Sequence, residues 1–186
     1  MAQHTGKVPL SRQAIVEAAI ALADAEGLDA VSIRSVAAVL RARPMSLYRF
    51  IDSKDDLVAD MVDEVIAEML LKQVPADWRD AMRAIARRTI QIGRRHPWLL
   101  AATTRITGTG PHRAQHADQS LQAMASLGLS EGVVRPLLVA VDVYTMGFAL
   151  STRPGRTRAQ QRADDRALDQ GLGWLLDGFA RSHLKS

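Results

Sequence analysis

The chain has 186 residues, with 24 Lys and Arg against 20 Asp and Glu, a formal net charge of +4 and no cysteine. That length can bury a sizeable core in one large or two small domains, and the lack of cysteine excludes a disulfide scaffold, a thiolate metal site and a cysteine nucleophile. There is no run of about 18 uncharged apolar residues and no apolar core in the N-terminal segment that holds His4 and Lys7, so the expectation is a soluble, cytoplasmic protein with no membrane partner.

Few aromatics and many Ala, Leu and Arg favour helix over sheet. Ser11 is a good N-cap for a first helix to about Glu26, with Ile15, Ala19, Leu22 and Ala23 as its apolar stripe and Gly27 as its stop. Ser32 caps a short second helix through Val36, Val39 and Leu40. After a turn at Arg41-Ala42-Arg43, Pro44 opens a short third helix, as proline can at a first helical position. Leu47, Phe50 and Ile51 give that helix its inward face. Ser53 caps a fourth helix, with Asp55 and Asp56 in the dipole-favoured first turn, that runs through Met61, Val65 and Met69 to about Leu71.

Pro75 marks a break, and Asp77 then caps a helix through Trp78, Met82 and Ile85 to about Arg95. Pro97 starts a short helix through Leu100 and Ala101, and Thr107-Gly108-Thr109-Gly110-Pro111 reads as a loop. A helix from His112 to Leu127 is closed by Gly128. Ser130 caps the longest apolar helix, which ends near Arg153. The stretch from Arg153 to Arg162, with Pro154, Gly155 and four arginines, reads as a mobile connection before a last helix from Asp164 to His183. With no credible strand, the fold class is all-α.

Located along the chain, the charge acquires meaning. Arg34, Arg41, Arg43, Arg49 and Lys54 lie between Ser32 and Lys54 against the single acid Asp52, leaving 19 groups of each sign elsewhere. A local surplus on an otherwise balanced chain is the footprint of a polyanion-binding face; a solvated arginine-rich surface is the alternative. Two short helices joined by a three-residue turn and packed on a longer first helix form a helix-turn-helix unit, whose second short helix enters the DNA major groove. The outward residues are then Arg43, Met45, Ser46, Tyr48 and Arg49. Arg bonds guanine bidentately, Ser meets several base edges, and Met45 or Pro44 contacts a thymine methyl. Ser32, Arg34, Tyr48 and Lys54 suit phosphates, which position without reading sequence. An ordinary αα-hairpin in a bundle is the competing reading, and it leaves the charge concentration unexplained.

Residues 40–57, LRARPMSLYRFIDSKDDL, resemble the core of the TetR family of one-component transcriptional regulators, whose pattern is a Leu-Gly turn, a helix ending Leu-Tyr-x-His-Phe, and x-x-Lys-x-x-Leu. Leu47, Tyr48, Lys54 and Leu57 match in register, and AIALADAEGLDAVSIRS, ending at Ser35, matches the first helix, glycine stop and capped second helix. The resemblance implies phosphate contact for Tyr48 and Lys54, and DNA-facing positions for Arg34, Met45, Ser46 and Arg49. Arg41 stands where the family has its turn glycine, so it must either accept a positive φ or reshape the turn. Phe50 replaces the family's histidine and Ile51 its phenylalanine.

The helix from Ser130 is apolar almost all round and needs burial on more than one side. The last helix carries Leu168, Leu172, Leu175, Leu176 and Phe179, with Gly171, Gly173 and Gly178 allowing close approach. A two-fold homodimer with a four-helix interface follows, as the resemblance also implies; the core of a monomeric bundle is the alternative. The division expected is a helix-turn-helix domain over 1–54 and a helical effector-binding and dimerisation domain over 55–186. Two heads on a dimer call for a roughly palindromic double-stranded operator. The resemblance further implies that a small-molecule effector releases the DNA, with the helix from Lys54 to Leu71 as the link.

Candidates to line an effector site are Met82, Ile85, Trp98, Ile106, Leu121, Met124, Val141, Asp142, Tyr144, Met146 and Phe148, among which methionines adapt to varied apolar ligands; an apolar residue at helical spacing is more often plain core than pocket. Asp142 either meets a ligand's donor or pairs with an arginine across the dimer. A tetracycline–metal ligand is not supported, because Leu70 and Leu71 end the fourth helix and Ile106 precedes Thr107-Gly108. His96 beside Pro97 reads as structural. His112 and His116, at i and i+4, lack a third ligand nearby and read as exposed polar groups, so no metal or cofactor is expected. No GxSxG, HExxH, P-loop, GxGxxG or Glu-x-x-His motif is present, and an enzyme is not expected. A helical small-molecule carrier without specific DNA recognition is the alternative to the repressor.

Overall fold

The computed structural model describes residues 9–106, 110–151 and 157–184. The described residues are helical, without a strand, and fall into two compact units: residues 9–65 with 96–106 and 110, and residues 66–95 with 111–184. The TetR-like N-terminal pattern lies in the first unit.

In the first unit α1 (Arg12–Glu26) starts where Ser11 accepts the Ala14 N–H and stops at Gly27, whose φ is +89°. A 3-10 turn, Leu28–Ala30, leads to α2 (Ile33–Val39). A reciprocal capping box starts α2, with Ser32 accepting from Ser35 N–H and Ser35 accepting from Ser32 N–H. α3 (Pro44–Leu47) is a single turn, and α4 (Lys54–Ala67) begins with Ser53 accepting the Asp56 N–H. α1 packs on α2 and α2 on α3. Ile15, Ala19, Val36, Leu47, Ile51, Leu57 and Met61 are fully buried. Each such Leu, Ile or Met is worth about 1.5–3 kcal/mol of burial, so this apolar set, rather than propensity, holds a one-turn helix such as α3 in place. Phe50 is only half-buried, whereas Leu47 and Ile51 point inward as read from the sequence.

The chain re-enters the first unit at His96 and forms α6 (Leu99–Thr103). His96 is buried and, with the Trp98 indole, donates to Asp24 of α1, bearing out its structural reading. Gly110 abuts Asp63, whose side chain occupies the space a Cβ would take. Thr107, Gly108 and Thr109 of the expected loop lie outside the described residues.

α4 ends at Ala67 rather than near Leu71. The next residues tighten into i→i+3 turns, Met69 N–H to Ile66 and Leu70 N–H to Ala67. The Leu71 peptide is then held by the Gln119 amide, which accepts from its N–H and donates to its C=O, both at 2.9 Å. A long-range side chain thus supplies the partners a longer helix would have given.

The second unit packs α5 (Trp78–Arg95), α7 (Pro111–Ala123), α8 (Glu131–Ser151) and α9 (Arg158–His183). Asp77 caps α5 through the Arg79 and Asp80 N–H groups. α7 is shorter than expected, giving way to a 3-10 turn, Ala125–Leu127, before Gly128 closes it in a left-handed conformation. α9 starts earlier than Asp164: Thr157 and Gln160 form a capping box, so Arg158 to Arg162 are helical rather than a connection. Arg153, Pro154 and Gly155 lie outside the described residues.

The core of this unit joins Trp78, Met82 and Ile85 of α5, Ala123 and Met124 at the end of α7, Val134, Leu137 and Val141 of α8, and Leu172 and Leu176 of α9. Trp78 meets Phe179 edge to face at 5.9 Å, and Arg79 lies over the Trp78 ring at 4.5 Å. Three ion pairs run along the α5–α9 seam, Arg79–Asp177, Arg87–Asp169 and Arg94–Asp165.

Two expectations change here. By length and composition α8 is apolar enough to cross a membrane, although no 18-residue run in it is free of charge. Of the three α9 glycines, only Gly171 allows a close approach, to Tyr144, while Gly173 and Gly178 face open space.

Candidate nucleic-acid interface

The turn between α2 and α3 sets the interface. The Arg41 N–H bonds Ala38 C=O at 3.1 Å and the Ala42 N–H bonds Ala37 C=O at 2.9 Å. This pair of bonds is a Schellman motif with Leu40 as C-cap. The position after the C-cap must then be left-handed, and Arg41 takes φ +50° there, so the turn keeps its shape and the arginine accepts the positive φ. Arg43, with extended backbone, is the N-cap residue of α3, and Pro44 occupies the first position.

With Leu47 buried, the opposite side of this turn faces outward. Met45 is 76% exposed and Tyr48 49%; Arg34, Arg43, Pro44, Arg49 and Lys54 are exposed and Ser46 half-exposed. All of them belong to the first unit. Among the described residues none of Arg34, Arg41, Arg43, Arg49 and Lys54 makes an ion pair, whereas on α5 Arg79, Arg83, Arg87, Arg94 and Arg95 are all held by acids. Uncompensated cations beside an exposed tyrosine and methionine make a surface suited to a polyanion with apolar features. Ser32 is the exception within the predicted set: it is half-buried and its hydroxyl is committed to the Ser35 capping box.

The backbone leaving α3 is held by a residue the sequence did not single out. Arg12 donates to Phe50 C=O at 2.7 Å and to Asp56 at 2.9 Å, and lies 2.6 Å from Asp60. Its two carboxylates push the guanidinium pKa up. The sequence signal was present only as an arginine at the first position of α1.

The effector candidates divide between the units. Met82, Ile85, Met124 and Val141 lie in the core of the second, with Leu121 and Tyr144 packed against it. Met146 and Phe148 are half-buried on α8, and Phe148 lies beside Tyr144. Trp98 and Ile106 belong to the first unit, where the Trp98 indole is already engaged by Asp24. Asp142 is an exposed residue on α8, yet partial desolvation of its carboxyl pushes the pKa up to about 6. The side chain missed from sequence is Thr145, 1% exposed, with a buried hydroxyl that has no hydrogen-bond partner among the described residues. His116, expected to be exposed, is half-buried, its Nε2 is buried without a partner among the described residues, and desolvation lowers its pKa.

The model of the tetracyclin repressor-like C-terminal domain matches residues 72–174. The chain is 37% identical over 150 residues to the HTH-type transcriptional repressor DrrR1 of Streptomyces coeruleorubidus, a match over 78% of this chain and 54% of that protein, so it spans about half of that relative's length. It is 25% identical over 203 residues to the class A tetracycline repressor protein from transposon 1721 of Escherichia coli, covering 94% of this chain and 93% of that one. Its fold is that of ActR from Streptomyces coelicolor in complex with actinorhodin, with a TM-score of 0.82 and 21% identity over 96% of this chain and 100% of that one. Matched over more than half its length by that domain model, the chain belongs to the tetracycline-repressor-like (TetR) family.

Proposed function

We propose that the chain is a cytoplasmic, non-enzymatic transcriptional repressor that binds a palindromic operator as a homodimer and leaves it when a small molecule binds. The observation that carries the reading is the set of exposed cations that make no ion pair among the described residues, Arg34, Arg43, Arg49 and Lys54, in the same unit as the exposed Met45 and Tyr48. The relatives described above as repressors support it. Residues 1–54 serve as the reading head and 55–186 as the part that dimerises and takes the effector.

Dimerisation is supported by an apolar stripe left open on the last two long helices. Val139, Val143, Gly147 and Leu150 follow one another at helical spacing on α8; Val143 is 65% and Leu150 70% exposed. On α9, Trp174 is 67% exposed, beside the open Gly173 and Gly178. The same patch on a second copy is self-complementary in the way a two-fold interface requires. We therefore read α8 as an interface helix and not as a membrane span. An effector in the second unit is supported by the unpartnered Thr145 hydroxyl near an apolar, methionine-bearing core, and by the actinorhodin bound to ActR. It releases DNA through its differential affinity for two conformations.

Selection of bound DNA from a random pool tests the reading. A recovered palindrome establishes sequence reading and two-fold symmetry together. Salt-dependent binding with no recovered motif means generic polyanion affinity and removes the repressor reading.

A further inference from the structure

Among the described residues Arg41 is the one non-glycine with a positive φ. The Schellman bonds at Ala38 and Ala37 fix that geometry, so the residue at 41 has no escape to a relaxed backbone while the turn exists. A Cβ is crowded in this region, and glycine or asparagine fits it with less strain. The Arg41 side chain returns nothing to the fold that compensates: it is exposed, and it makes no ion pair or hydrogen bond to any described residue. It also stands two residues before Arg43, hence within about 7 Å of it along the backbone, on the rim of the exposed face that carries Met45, Tyr48 and Arg49.

We propose that Arg41 is a DNA-backbone anchor, a phosphate-binding residue whose backbone, set in a left-handed turn, roots its charged side chain at the edge of the reading head. The proposal rests on the DNA-binding reading above and adds a contact to it. A backbone held by two hydrogen bonds keeps the root of the side chain at one position, while the free side-chain torsions let the guanidinium reach a phosphate at the entropic cost of ordering them. A contact of this kind strengthens binding on every sequence and selects none.

The test measures operator binding by anisotropy between about 50 and about 200 mM salt, together with thermal midpoints of the free protein. The proteins are the full chain, Arg41→Gly, Arg41→Lys and Lys54→Ala. For Arg41→Gly the expected result is a midpoint raised by about 2–4 °C and affinity lowered several-fold on operator and on unrelated DNA alike. Its slope of log K against log salt should be shallower by about 0.9 for each subunit. Arg41→Lys should keep most of the slope. Arg41→Gly with unchanged affinity and slope, while Lys54→Ala loses both, overturns the proposal and leaves the DNA-binding reading intact. A lower midpoint for Arg41→Gly with an unchanged slope overturns it too, because the arginine then serves the end of α2. If the unaltered chain binds no DNA, both readings fall.

Discussion

Asp24 Oδ1 stands 2.7 Å from His96 Nδ1, joining α1 to the segment that precedes α6. The carboxylate only accepts, so the ring nitrogen carries the proton in this bond, and the same oxygen takes the Trp98 indole N–H at 2.7 Å. Replacing Asp24 by Ala removes the acceptor that both buried rings share. The expected cost is about 1–3 kcal/mol, read as a lower thermal midpoint. Asp24→Asn, which keeps an acceptor, should recover part of it. Equal midpoints for the Ala variant and the unaltered chain would show that the bond is dispensable.

The reading head separates into positioning and specifying side chains. Tyr48→Ala and Lys54→Ala should weaken binding on all DNA sequences, and Lys54→Ala should flatten the salt dependence by about 0.9 in slope for each subunit. Arg43→Ala and Arg49→Ala should change the preferred base at particular operator positions, each discrimination being worth about 1–3 kcal/mol. Competition against single-base operator variants distinguishes the groups. Uniform losses from all four substitutions would refute the division of roles.

An ionised side chain in the open stripe of α8 should separate the copies. Val143→Glu is expected to turn a dimer into a monomer at micromolar concentration, measured by sedimentation, and to abolish tight operator binding while the chain stays helical. Burying an unpaired carboxylate in an apolar contact is costly enough to decide the equilibrium. A monomeric unaltered chain would end the two-fold reading.

Two groups make stability depend on pH in opposite directions. Asp142 holds its proton up to about 6 when folded, whereas an unfolded carboxyl releases it near about 4. The folded state is therefore penalised as pH rises through that interval, and the penalty is complete above it. Asp142→Asn should raise the thermal midpoint at about pH 7.5 and leave it almost unchanged at about pH 4. His116 has its pKa lowered by burial, so unfolding takes up a proton and stability falls as pH drops below about 6.5. His116→Gln should flatten that acid limb. A midpoint difference for Asp142→Asn that is the same at both pH values would contradict the desolvation account.

Gly171 leaves room for the Tyr144 ring, whose hydroxyl donates to Ala167 C=O at 3.2 Å and Leu168 C=O at 3.3 Å. A methyl at 171 must displace the ring. Gly171→Ala should cost about 1–3 kcal/mol in a denaturant titration, a larger effect than Gly178→Ala, where a Cβ meets nothing.

Much of this was legible along the chain because the signals are local. Ser11, Ser32, Ser53 and Asp77 each act within three residues and each caps the helix expected of it. The positive φ of Arg41 was one of the two outcomes left open where the family pattern has its turn glycine, and the structure takes that one. The errors are long-range or masked by composition. Met69 continues the apolar period of α4, and only Gln119, bonded to Leu71 from 48 residues further along the chain, shows why the helix has already ended. The arginines and Pro154-Gly155 drew attention from the Thr157–Gln160 box that starts α9. The bond from the Trp98 indole to Asp24 was likewise out of reach of the sequence, since the two residues are 74 apart.

The seam between α5 and α9 carries arginine on one side and aspartate on the other. Each pair is exposed and worth little alone, but together they act as a ruler. Sliding α9 by four residues one way brings Arg79 towards Arg181 and Arg87 towards Gly173; the other way faces Arg79 with Gly173 and Arg94 with Gln161. Either slip keeps a single matched pair of the three. The apolar residues of α9 recur at near-equivalent spacing and would tolerate such a slip, so the charges supply the alignment that hydrophobic burial by itself leaves degenerate.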